Sequence, residues 1–462
     1  MPIHIYNSLT RKKEEFVPLA NPKVNIYTCG VTVYDDSHIG HARSLYVFDI
    51  IRRYLQYSGF EVKFVRNITD VDDKIINRAN ELKIEWQELV KRYIGRYYED
   101  LKALGIEKAD FEPRATENIA EMVEYIQKLI NKGYAYEAGG DVYFNVRKFP
   151  AYGKLSGQSI DQMETGVRIG PSELKQDSLD FALWKKSKEA EPSWDSPWGK
   201  GRPGWHIECS VMSQKFLKTD TLDIHAGGRD LIFPHHENEI AQAEALTSKQ
   251  FAKYWIHHGL LTISGQKMSK SLGNFITIKD FIEKYRDVNI LKMFFLSAHY
   301  SHPIDYNDKK IEESRQALDR IANFVFKARD IAYSNVSISS EITEINEIKN
   351  EFVKAMDDDF NTPQALSAIF DLVNLTYKNM DNAVFVKTSE KVLEDLSAIL
   401  GLSVQKLQFD NVEEITSKIE ARNSARKQGK FALADQIRKK LEEEGIILED
   451  SKDGKTSWRK KL

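Results

Sequence analysis

The segment from Tyr27 to Ser44 contains side chains that could bind the phosphates of a nucleotide. His38 and His41 are three residues apart, and Gly40 lies between them. In a helix this spacing places both imidazoles on one face, where they can donate hydrogen bonds to phosphate oxygens. Gly40 leaves room for a flat ligand to approach the backbone. The pattern therefore predicts a phosphate-binding site.

The flanking residues predict how this site is positioned. An alternating apolar run at 24–27 indicates a strand before it, and apolar residues at helical spacing from Leu45 to Leu55 indicate a helix after it. Open α/β sheets bind nucleotides at such strand-to-helix turns. We expect a helix that begins near His38 to direct unpaired N–H groups and a partial positive charge towards the ligand.

A second set of side chains has the chemistry of a zinc site. Cys29 and Cys209 are predicted at the ends of strands, and His235 and Glu239 lie four residues apart on one face of a helix. Two thiolates, an imidazole and a carboxylate form a tetrahedral zinc set. Two alternatives stay open at this point. Lone cysteines often serve as small buried apolar residues, and His236 shares a helical face with Glu239 as well.

A cluster of acidic residues follows the strand predicted at 61–68. Asp70, Asp72 and Asp73 could bind a metal ion. A helix N-cap with acidic residues in the first helical turn explains them more simply. We therefore favour the N-cap.

Composition limits the class of protein. The chain has 462 residues, only two cysteines and a net charge of −3, which argues against nucleic-acid binding through global charge. Two distant cysteines are not a disulfide framework and fit a reducing compartment. We find no signal-peptide layout at the start and no apolar run near the roughly 18 residues of a membrane helix. We expect a cytoplasmic protein with no membrane partner.

The rest of the chain divides by its sequence pattern. Amphipathic helices are predicted over 85–132, a β-hairpin at 139–140, a strand over 254–263 and helices beyond about residue 310. Loops rich in Gly, Pro, Ser and Trp indicate an insertion into the nucleotide-binding fold over 116–204.

Two short motifs connect these observations to a known family. His38-Ile39-Gly40-His41 follows the first sheet strand, and Lys267-Met268-Ser269-Lys270-Ser271 follows a later one. In this order and context they resemble the paired signatures of class I aminoacyl-tRNA synthetases. Five further segments resemble the cysteinyl-tRNA synthetases within that class, namely residues 27–35, 66–74, 201–210, 233–239 and 358–362.

The resemblance implies an α/β fold with a Rossmann-type class I catalytic domain and a connective insertion. A helical-bundle domain and a small C-terminal anticodon-binding module are implied after it. The expected ranges are 1–115 and 205–265 for the catalytic domain, 116–204 for the insertion, 266–310 for the signature loop and a stem-contact region, 311–403 for the helical domain and 404–462 for the C-terminal module.

The resemblance also implies ligation of L-cysteine to tRNA(Cys) through a cysteinyl-adenylate, with release of AMP and diphosphate. ATP, accompanied by Mg²⁺, is expected on Gly40 and on the catalytic side chains His38, His41, Lys267 and Lys270. One Zn²⁺ per chain, which selects the cysteine thiolate, is expected on Cys29, Cys209, His235 and Glu239. The cysteine pocket is expected at Thr69, Trp205, His206, His225 and Asp230.

A basic helical stretch over 415–445 predicts contacts with RNA, although charged runs are often solvated faces. Bases splayed from an anticodon loop stack on aromatic or guanidinium groups, and phosphate contacts make binding sensitive to salt. The expected tRNA contacts are Arg422, Arg426, Lys427, Arg438 and Trp458.

Two other functions fit parts of the pattern. A ligase that joins cysteine to an amino sugar would share the zinc and ATP motifs but would lack an anticodon-binding module. A paralogue that binds RNA without catalysis would not need His38, His41, Lys267 and Lys270. We favour the synthetase and expect a monomer.

Overall fold

The computed structural model describes residues 2–160, 174–189, 191–269, 272–330, 337–404, 412–450 and 456–460. The chain forms two compact units. The first comprises residues 1–288, 298–306 and 354–363, and the second comprises residues 289–297, 307–353 and 364–462.

The helices are numbered in chain order through the described residues. They are α1 Ile39–Tyr57, α2 Asp73–Leu82, α3 Trp86–Ala103, α4 Ile119–Asn131, α5 Trp205–Leu217, α6 Glu237–Thr247, α7 Ile278–Tyr285, α8 Asn289–Leu296, α9 Asp308–Asp330, α10 Thr343–Asp357, α11 Thr362–Tyr377, α12 Ala383–Ile399, α13 Val412–Lys427 and α14 Phe431–Glu443.

The strands are numbered in the same way. They are β1 His4–Asn7, β2 Lys12–Glu15, β3 Lys23–Thr28, β4 Glu61–Arg66, β5 Ala135–Ala138, β6 Asp141–Phe144, β7 Phe181–Lys186, β8 Gly201–Pro203, β9 Leu222–Gly228, β10 Ala252–His258, β11 Leu261–Ile263, β12 Gln266–Lys267, β13 Ile304–Tyr306, β14 Ile446–Asp450 and β15 Thr456–Lys460.

A four-stranded parallel sheet forms the centre of the first unit, with the strand order β10-β9-β3-β4. Apolar side chains of β3 and β9, such as Val24, Ile26 and Ile224, are buried, as expected for a sheet covered on both faces. The carboxyl ends of parallel strands meet at one edge. The residues that follow β3, β4, β9 and β10 therefore lie close together, at the edge where α/β folds of this kind bind ligands.

Helix α1 follows β3 and begins at Ile39, one residue from the predicted start at His38. Its apolar residues, among them Leu45, Phe48 and Ile51, are buried. The strand–turn–helix unit predicted from the sequence is therefore confirmed. The acidic cluster is an N-cap, because the Asp72 side chain accepts a hydrogen bond of 2.9 Å from Lys74 N at the start of α2.

The segment between the two halves of the sheet contains α4 and a separate antiparallel sheet with the order β5-β6-β7-β8. Gly139 and Gly140 have positive φ angles of 67° and 94° and form the predicted hairpin turn between β5 and β6. Buried residues of this sheet, such as Phe144 and Trp184, belong to the same apolar cluster as Trp255 of the parallel sheet.

Two sequence predictions about secondary structure are wrong. Residues 254–263 are not one strand, because β10 ends at His258 and β11 begins at Leu261 in a different, three-stranded sheet with the order β12-β11-β13. Cys209 does not end a strand either, because α5 begins at Trp205 after the extended residue Gly204. Helix α5 is buried on several faces, so its sequence lacks the clear 3.6-residue apolar period of a surface helix.

The described part of the second unit consists of helices and of the hairpin β14-β15. Within it, the buried Lys292 donates a hydrogen bond of 2.8 Å to Gly401 O. A small apolar cluster joins α13 and α14 to the hairpin through Ile415, Ile419, Leu441 and Trp458. Within the described ranges, no helix has the length and hydropathy of a membrane span.

Candidate active site

A cavity of about 330 Å³ opens at the carboxyl edge of the parallel sheet. A cleft of this size can enclose a small ligand. Its walls come from the residues after β3, from the first turns of α1, from the ends of β9 and β10, and from the signature loop. They include Cys29, Gly30, Tyr34, His38, Gly40, His41, Lys74, Trp205, Gly228, Asp230, His258, Leu261, Lys267 and Met268.

The four predicted metal ligands converge beside this cavity. One ligand atom from each of Cys29, Cys209, His235 and Glu239 lies within 4.8 Å of the other three. Zinc–sulfur and zinc–nitrogen bond lengths place tetrahedral ligand atoms about 3.3–3.8 Å apart, so this cluster fits one zinc ion. Cys209, His235 and Glu239 are fully buried and Cys29 is partly buried. The donor set therefore fits the metal that the resemblance implies.

The pKa values of three ligands in this cluster are shifted towards the charged form, whereas burial raises the pKa of the Cys29 thiol well above its usual value. Burial opposes ionisation of the Cys209 thiol, but its hydrogen bond with Cys29 and the charge of His235 lower its pKa to about 6. Burial likewise opposes the charge on His235, but Glu239 and Cys209 raise its pKa to about 10. The pKa of Glu239 lies well below its usual value because His225 and His235 outweigh the effect of burial.

Neighbouring histidines fix the orientation of these ligands. His206 Nδ1 lies 2.8 Å from His235 Nδ1, which leaves His235 Nε2 facing Glu239 at 3.0 Å. His225 Nε2 lies 2.7 Å from Glu239 Oε2. Hydrogen bonds of this kind orient metal ligands and tune their basicity.

The alternative ligand His236 is close to the same cluster. Its Nε2 lies 3.3 Å from Cys29 Sγ, and its Nδ1 lies 2.8 Å from His257 Nε2. Cys29, His225, His236 and Glu239 also have ligand atoms within 4.8 Å of one another. The structure therefore brings both histidines to the cluster, and the choice of His235 stays a prediction.

His38 and His41 form a reciprocal cap at the start of α1. His38 Nδ1 accepts hydrogen bonds from Gly40 N at 3.0 Å and from His41 N at 3.2 Å, and His41 Nδ1 accepts one from His38 N at 3.3 Å. The rings stack with centroids 3.7 Å apart. Because both Nδ1 atoms are acceptors, each neutral ring has its proton on Nε2 and presents an Nε2–H donor.

This cap corrects one sequence prediction. The N–H groups of Gly40 and His41 are not unpaired, because the His38 side chain accepts from both. The imidazoles therefore replace these backbone groups as donors to a ligand. Burial lowers the pKa of His38 to about 4 and, together with His38 and Lys74, the pKa of His41 to about 3. Both rings are neutral at neutral pH.

Backbone hydrogen bonds connect the start of α1 to the segment that follows the signature loop. Ile39 N donates to Ile276 O at 3.1 Å, and Ile278 N donates to Ser37 O at 3.0 Å. Lys267 in β12 is exposed and faces the cavity. Lys270 lies outside the described residues. Lys267 and Met268 of the second motif therefore line the same cavity as His38, Gly40 and His41 of the first.

Only two of the five side chains expected in the cysteine pocket line the cavity. Trp205 is 37% exposed and stacks on His235 with ring centroids 4.0 Å apart, and Asp230 lies in the wall near Gly228. Thr69, His206 and His225 are not part of that wall, and their role in the cysteine pocket stays a prediction. The Thr69 hydroxyl is buried and donates to Glu208 Oε2 at 2.8 Å, and the two histidines bind the predicted metal ligands.

Two of the expected tRNA contacts are structural. Arg422 is buried and pairs with both carboxylate oxygens of Asp450 at 2.9 and 2.7 Å. Trp458 is 5% exposed and packs against Phe326 with ring centroids 4.7 Å apart. Neither side chain is free to bind RNA, which corrects these two expectations. Arg426, Lys427 and Arg438 are exposed.

The roles of three further residues were not predicted from the sequence. Asn67 accepts from Gly30 N at 2.8 Å and contacts Cys209 Sγ at 3.7 Å, so it joins the two cysteine segments. Asn274 accepts from Ser269 N at 2.8 Å and donates to Lys267 O at 3.2 Å. Phe431 is 64% exposed at the start of α14, beside the basic residues. An aromatic residue directly after Gly429-Lys430 is the signal that could have identified Phe431.

Known proteins match this architecture in sequence and in structure. A model of the class I (C) tRNA synthetase catalytic domain matches residues 15–316, and a DALR domain model matches residues 351–405. Cysteine--tRNA ligase from Anoxybacillus flavithermus is 51% identical, and that from Aquifex aeolicus is 48% identical. The first alignment covers all of both chains, and the second covers 100% of this chain and 99% of the relative.

Solved structures show the same fold at low sequence identity. Methionyl-tRNA synthetase from Mycobacterium tuberculosis, in complex with methionyl-adenylate, superposes with a TM-score of 0.63 at 16% identity. That alignment covers 83% of this chain and 93% of the other. The sequence matches, the class I catalytic domain and the full-length coverage establish that this chain belongs to the cysteine--tRNA ligase family of class I aminoacyl-tRNA synthetases.

Proposed function

We propose that this protein joins L-cysteine to tRNA(Cys) through a cysteinyl-adenylate, consuming ATP and releasing AMP and diphosphate. The main support is the juxtaposition of two sites on one cavity. A thiol–imidazole–carboxylate cluster lies beside it, and a pair of neutral imidazoles that can bind phosphate forms its wall. A site for sulfur and a site for triphosphate on one cavity are what cysteine activation requires.

Zinc on Cys29, Cys209, His235 and Glu239 would supply a soft Lewis acid for the sulfur of cysteine. A packed pocket alone distinguishes substrates that differ by one small group only about 10–200-fold. The serine hydroxyl is a harder and far less acidic ligand than a thiol, whose ordinary pKa is about 8.5. We infer that the cluster provides the specificity and that an editing site is unnecessary.

Adenylate formation requires positioning and charge stabilisation more than proton transfer. The ionised carboxylate of cysteine attacks the α-phosphorus, the bond to the bridging oxygen breaks, and diphosphate leaves. His38 and His41 donate Nε2–H groups to the phosphates from one side, and Lys267 supplies positive charge from the signature loop. Mg²⁺ accompanies ATP and is held mainly by its phosphates. Lys270 has the same predicted role as Lys267.

Of the predicted pocket residues, Trp205 and Asp230 line the cavity, and Thr69, His206 and His225 stay part of the proposal. We infer that Trp205, which stacks on His235, covers the amino acid next to the metal ligands. Asp230 lies near Gly228 and His258, where a carboxylate can accept hydrogen bonds from hydroxyl groups of the nucleotide. In the second step the terminal ribose hydroxyl of the tRNA attacks the adenylate carbonyl, and AMP leaves.

The exposed basic face of α13 and α14 is the proposed contact with the anticodon region. Arg426, Lys427 and Arg438 supply positive charge, and Phe431 replaces Trp458 as the aromatic surface on which a base can stack. Stacking and phosphate contacts together are typical of proteins that bind single-stranded RNA. The five domain ranges, the monomeric state and the cytoplasmic location stay predictions.

Cysteine-dependent ATP–diphosphate exchange, followed by transfer of labelled cysteine to tRNA or to an amino sugar, tests the proposed function. We expect exchange with cysteine, at least about 1,000-fold weaker exchange with serine, and transfer to tRNA only. Exchange with transfer to the amino sugar alone would identify a small-molecule ligase. Absence of exchange in the zinc-loaded protein would identify a paralogue without catalysis.

A further inference from the structure

Arg43 is a buried cation in the second turn of α1. Only 1% of it is exposed, and its guanidinium donates four hydrogen bonds to main-chain carbonyl oxygens. Nη1 donates to Gly259 O at 2.8 Å and to Leu260 O at 2.9 Å, and Nη2 donates to Tyr300 O at 3.2 Å and to His302 O at 2.5 Å. Burial lowers its pKa to about 10, so the group stays charged at neutral pH.

These four carbonyls belong to the two segments that begin the small sheet. Gly259 and Leu260 directly precede β11, and residues 300–302 directly precede β13, the parallel partner of β11. Strand β11 turns at residues 264–265 into β12, which contains Lys267. Arg43 therefore connects the helix that begins at the histidine pair to the sheet that contains the signature lysine.

The two segments bound by Arg43 pack against each other without spare room. Gly259 N donates to Tyr300 O at 2.9 Å, and Ile304 N donates to Leu260 O at 3.0 Å. A Cβ atom on Gly259 would lie 2.2 Å from the carbonyl atoms of His302. Because the packing is this tight, a small movement of the guanidinium would shift both segments together.

The energetics indicate that packing alone does not explain this residue. Among the described residues, Arg43 has no ion pair with a carboxylate, so the four carbonyl oxygens are the groups that balance its buried charge. An apolar side chain of similar length would fill the same space but would leave the carbonyl groups of Gly259 and His302 with one donor fewer. A planar guanidinium, in contrast, binds several carbonyls in fixed directions and so fixes backbone segments relative to one another.

We propose that Arg43 is a positioning residue that sets the distance between the two phosphate-binding halves of the ATP site. It holds the sheet of Lys267 against α1, so that the imidazoles of His38 and His41 and the signature lysine reach one triphosphate together. This inference rests on the proposed function. A displacement of about 1 Å between reacting groups can reduce a rate about 100-fold, so loss of this link should affect the rate of adenylate formation.

The first test compares Arg43→Met and Arg43→Lys with Arg52→Met in cysteine-dependent ATP–diphosphate exchange. Arg52 is a matched control, because it is another buried arginine of α1. It donates to Lys108 O at 2.8 Å, in the segment that follows α3. We expect Arg43→Met to lower kcat about 100-fold, with the KM for cysteine and the zinc content unchanged. Arg43→Lys should recover part of that loss. Arg52→Met should lower thermal stability without a comparable loss of kcat.

A double-mutant cycle with Lys267→Ala tests whether Arg43 acts through the signature loop. If it does, Arg43→Lys should reduce kcat much less in the Lys267→Ala background than in the wild-type background, whereas Arg52→Met should have additive effects. Equal losses of kcat in Arg43→Met and Arg52→Met, or additive effects of Arg43→Lys and Lys267→Ala, would overturn the inference. If Arg43→Met does not fold, Arg43→Lys decides the question.

The wild-type enzyme separates this inference from the function on which it rests. Absence of cysteine-dependent exchange in the wild-type protein would reject the proposed function itself. Normal exchange in the wild type together with unaltered kcat in the Arg43 variants would reject only the positioning role.

Discussion

The two halves of the candidate active site use histidine under opposite electrostatic conditions. His235 lies beside Glu239 and Cys209, and these anions outweigh burial and raise its pKa to about 10. His38 and His41 are partly buried; burial lowers the pKa of His38 to about 4, and burial together with His38 and Lys74 lowers the pKa of His41 to about 3. The neighbours of each ring therefore decide its charge: anionic side chains surround His235 in the proposed metal cluster, whereas His38 and His41 stay neutral donors of hydrogen bonds.

The strongest test of this contrast removes a thiol from the metal cluster. We expect Cys209→Ser to reduce cysteine-dependent exchange by at least about 1,000-fold, because a hydroxyl is a poor ligand for zinc. Zinc content, measured by atomic emission, should fall with activity, whereas ATP affinity in equilibrium dialysis should stay unchanged. Full exchange in metal-free Cys209→Ser would contradict a role of the cluster in cysteine selection.

Removal of the neutral His38 imidazole, on the phosphate-binding side of the cavity, should reduce the rate of exchange less than loss of the Cys209 thiol. Asparagine caps helices well, so His38→Asn preserves the start of α1 but moves the donor away from the position of Nε2. We expect kcat for exchange to fall about 100-fold, with normal zinc content and an unchanged KM for cysteine. A variant that loses zinc instead would show that the two halves of the site are not independent.

The depressed pKa of His38 also predicts how stability depends on pH. Its pKa in the folded protein is about 4 and about 6.5 in the unfolded chain, so the unfolded state binds more protons between these values. Stability should therefore rise with pH through this window, and His38 alone should cost about 2 kcal/mol on going from pH 7 to pH 5. Urea midpoints of the wild type and of His38→Asn at both pH values measure this difference. The pH dependence should be weaker in the variant, and equal dependence would show that His38 is not a buried neutral group.

The smallest loss of function is expected for a variant in α14, a helix that contains no histidine. Phe431→Ala should raise the KM for tRNA about 10-fold through loss of base stacking, while cysteine-dependent exchange and stability stay unchanged. Trp458→Ala, the matched variant of a buried aromatic residue, should lower thermal stability. If Trp458→Ala alone raised the KM for tRNA without loss of stability, the assignment of the exposed and the buried aromatic residue would be reversed.

The sequence was sufficient to predict which side chains lie together when they are only three or four residues apart in a helix. His38 and His41 lie on one helical turn, and His235 and Glu239 lie on another, so local geometry brings each pair together. Long-range pairing of Cys29 with Cys209 followed only from the family resemblance. The apolar pattern did not predict α5 as a helix. A helix that is buried on several faces has no polar side and therefore no clear 3.6-residue period.

The errors about individual roles have a different physical origin. Arginine and tryptophan are common in RNA-binding surfaces, but they also stabilise cores and buried ion pairs, and residue type alone does not distinguish these uses. The bidentate pair of Arg422 with Asp450 depends on a hairpin that the sequence pattern did not reveal. For the same reason, the contacts of His206 and His225 with the metal ligands could be seen only in three dimensions.

The reciprocal cap at the start of α1 has a consequence for the chemistry of inhibitors. Because the backbone N–H groups of Gly40 and His41 are already bound to His38, a ligand meets two uncharged Nε2–H groups on this side of the cavity. Hydrogen bonds to neutral donors do not require an anionic acceptor. Phosphate mimics without formal charge, such as sulfonyl or sulfamoyl groups, should therefore lose little affinity at this position and would also cross cell membranes more readily than diphosphates.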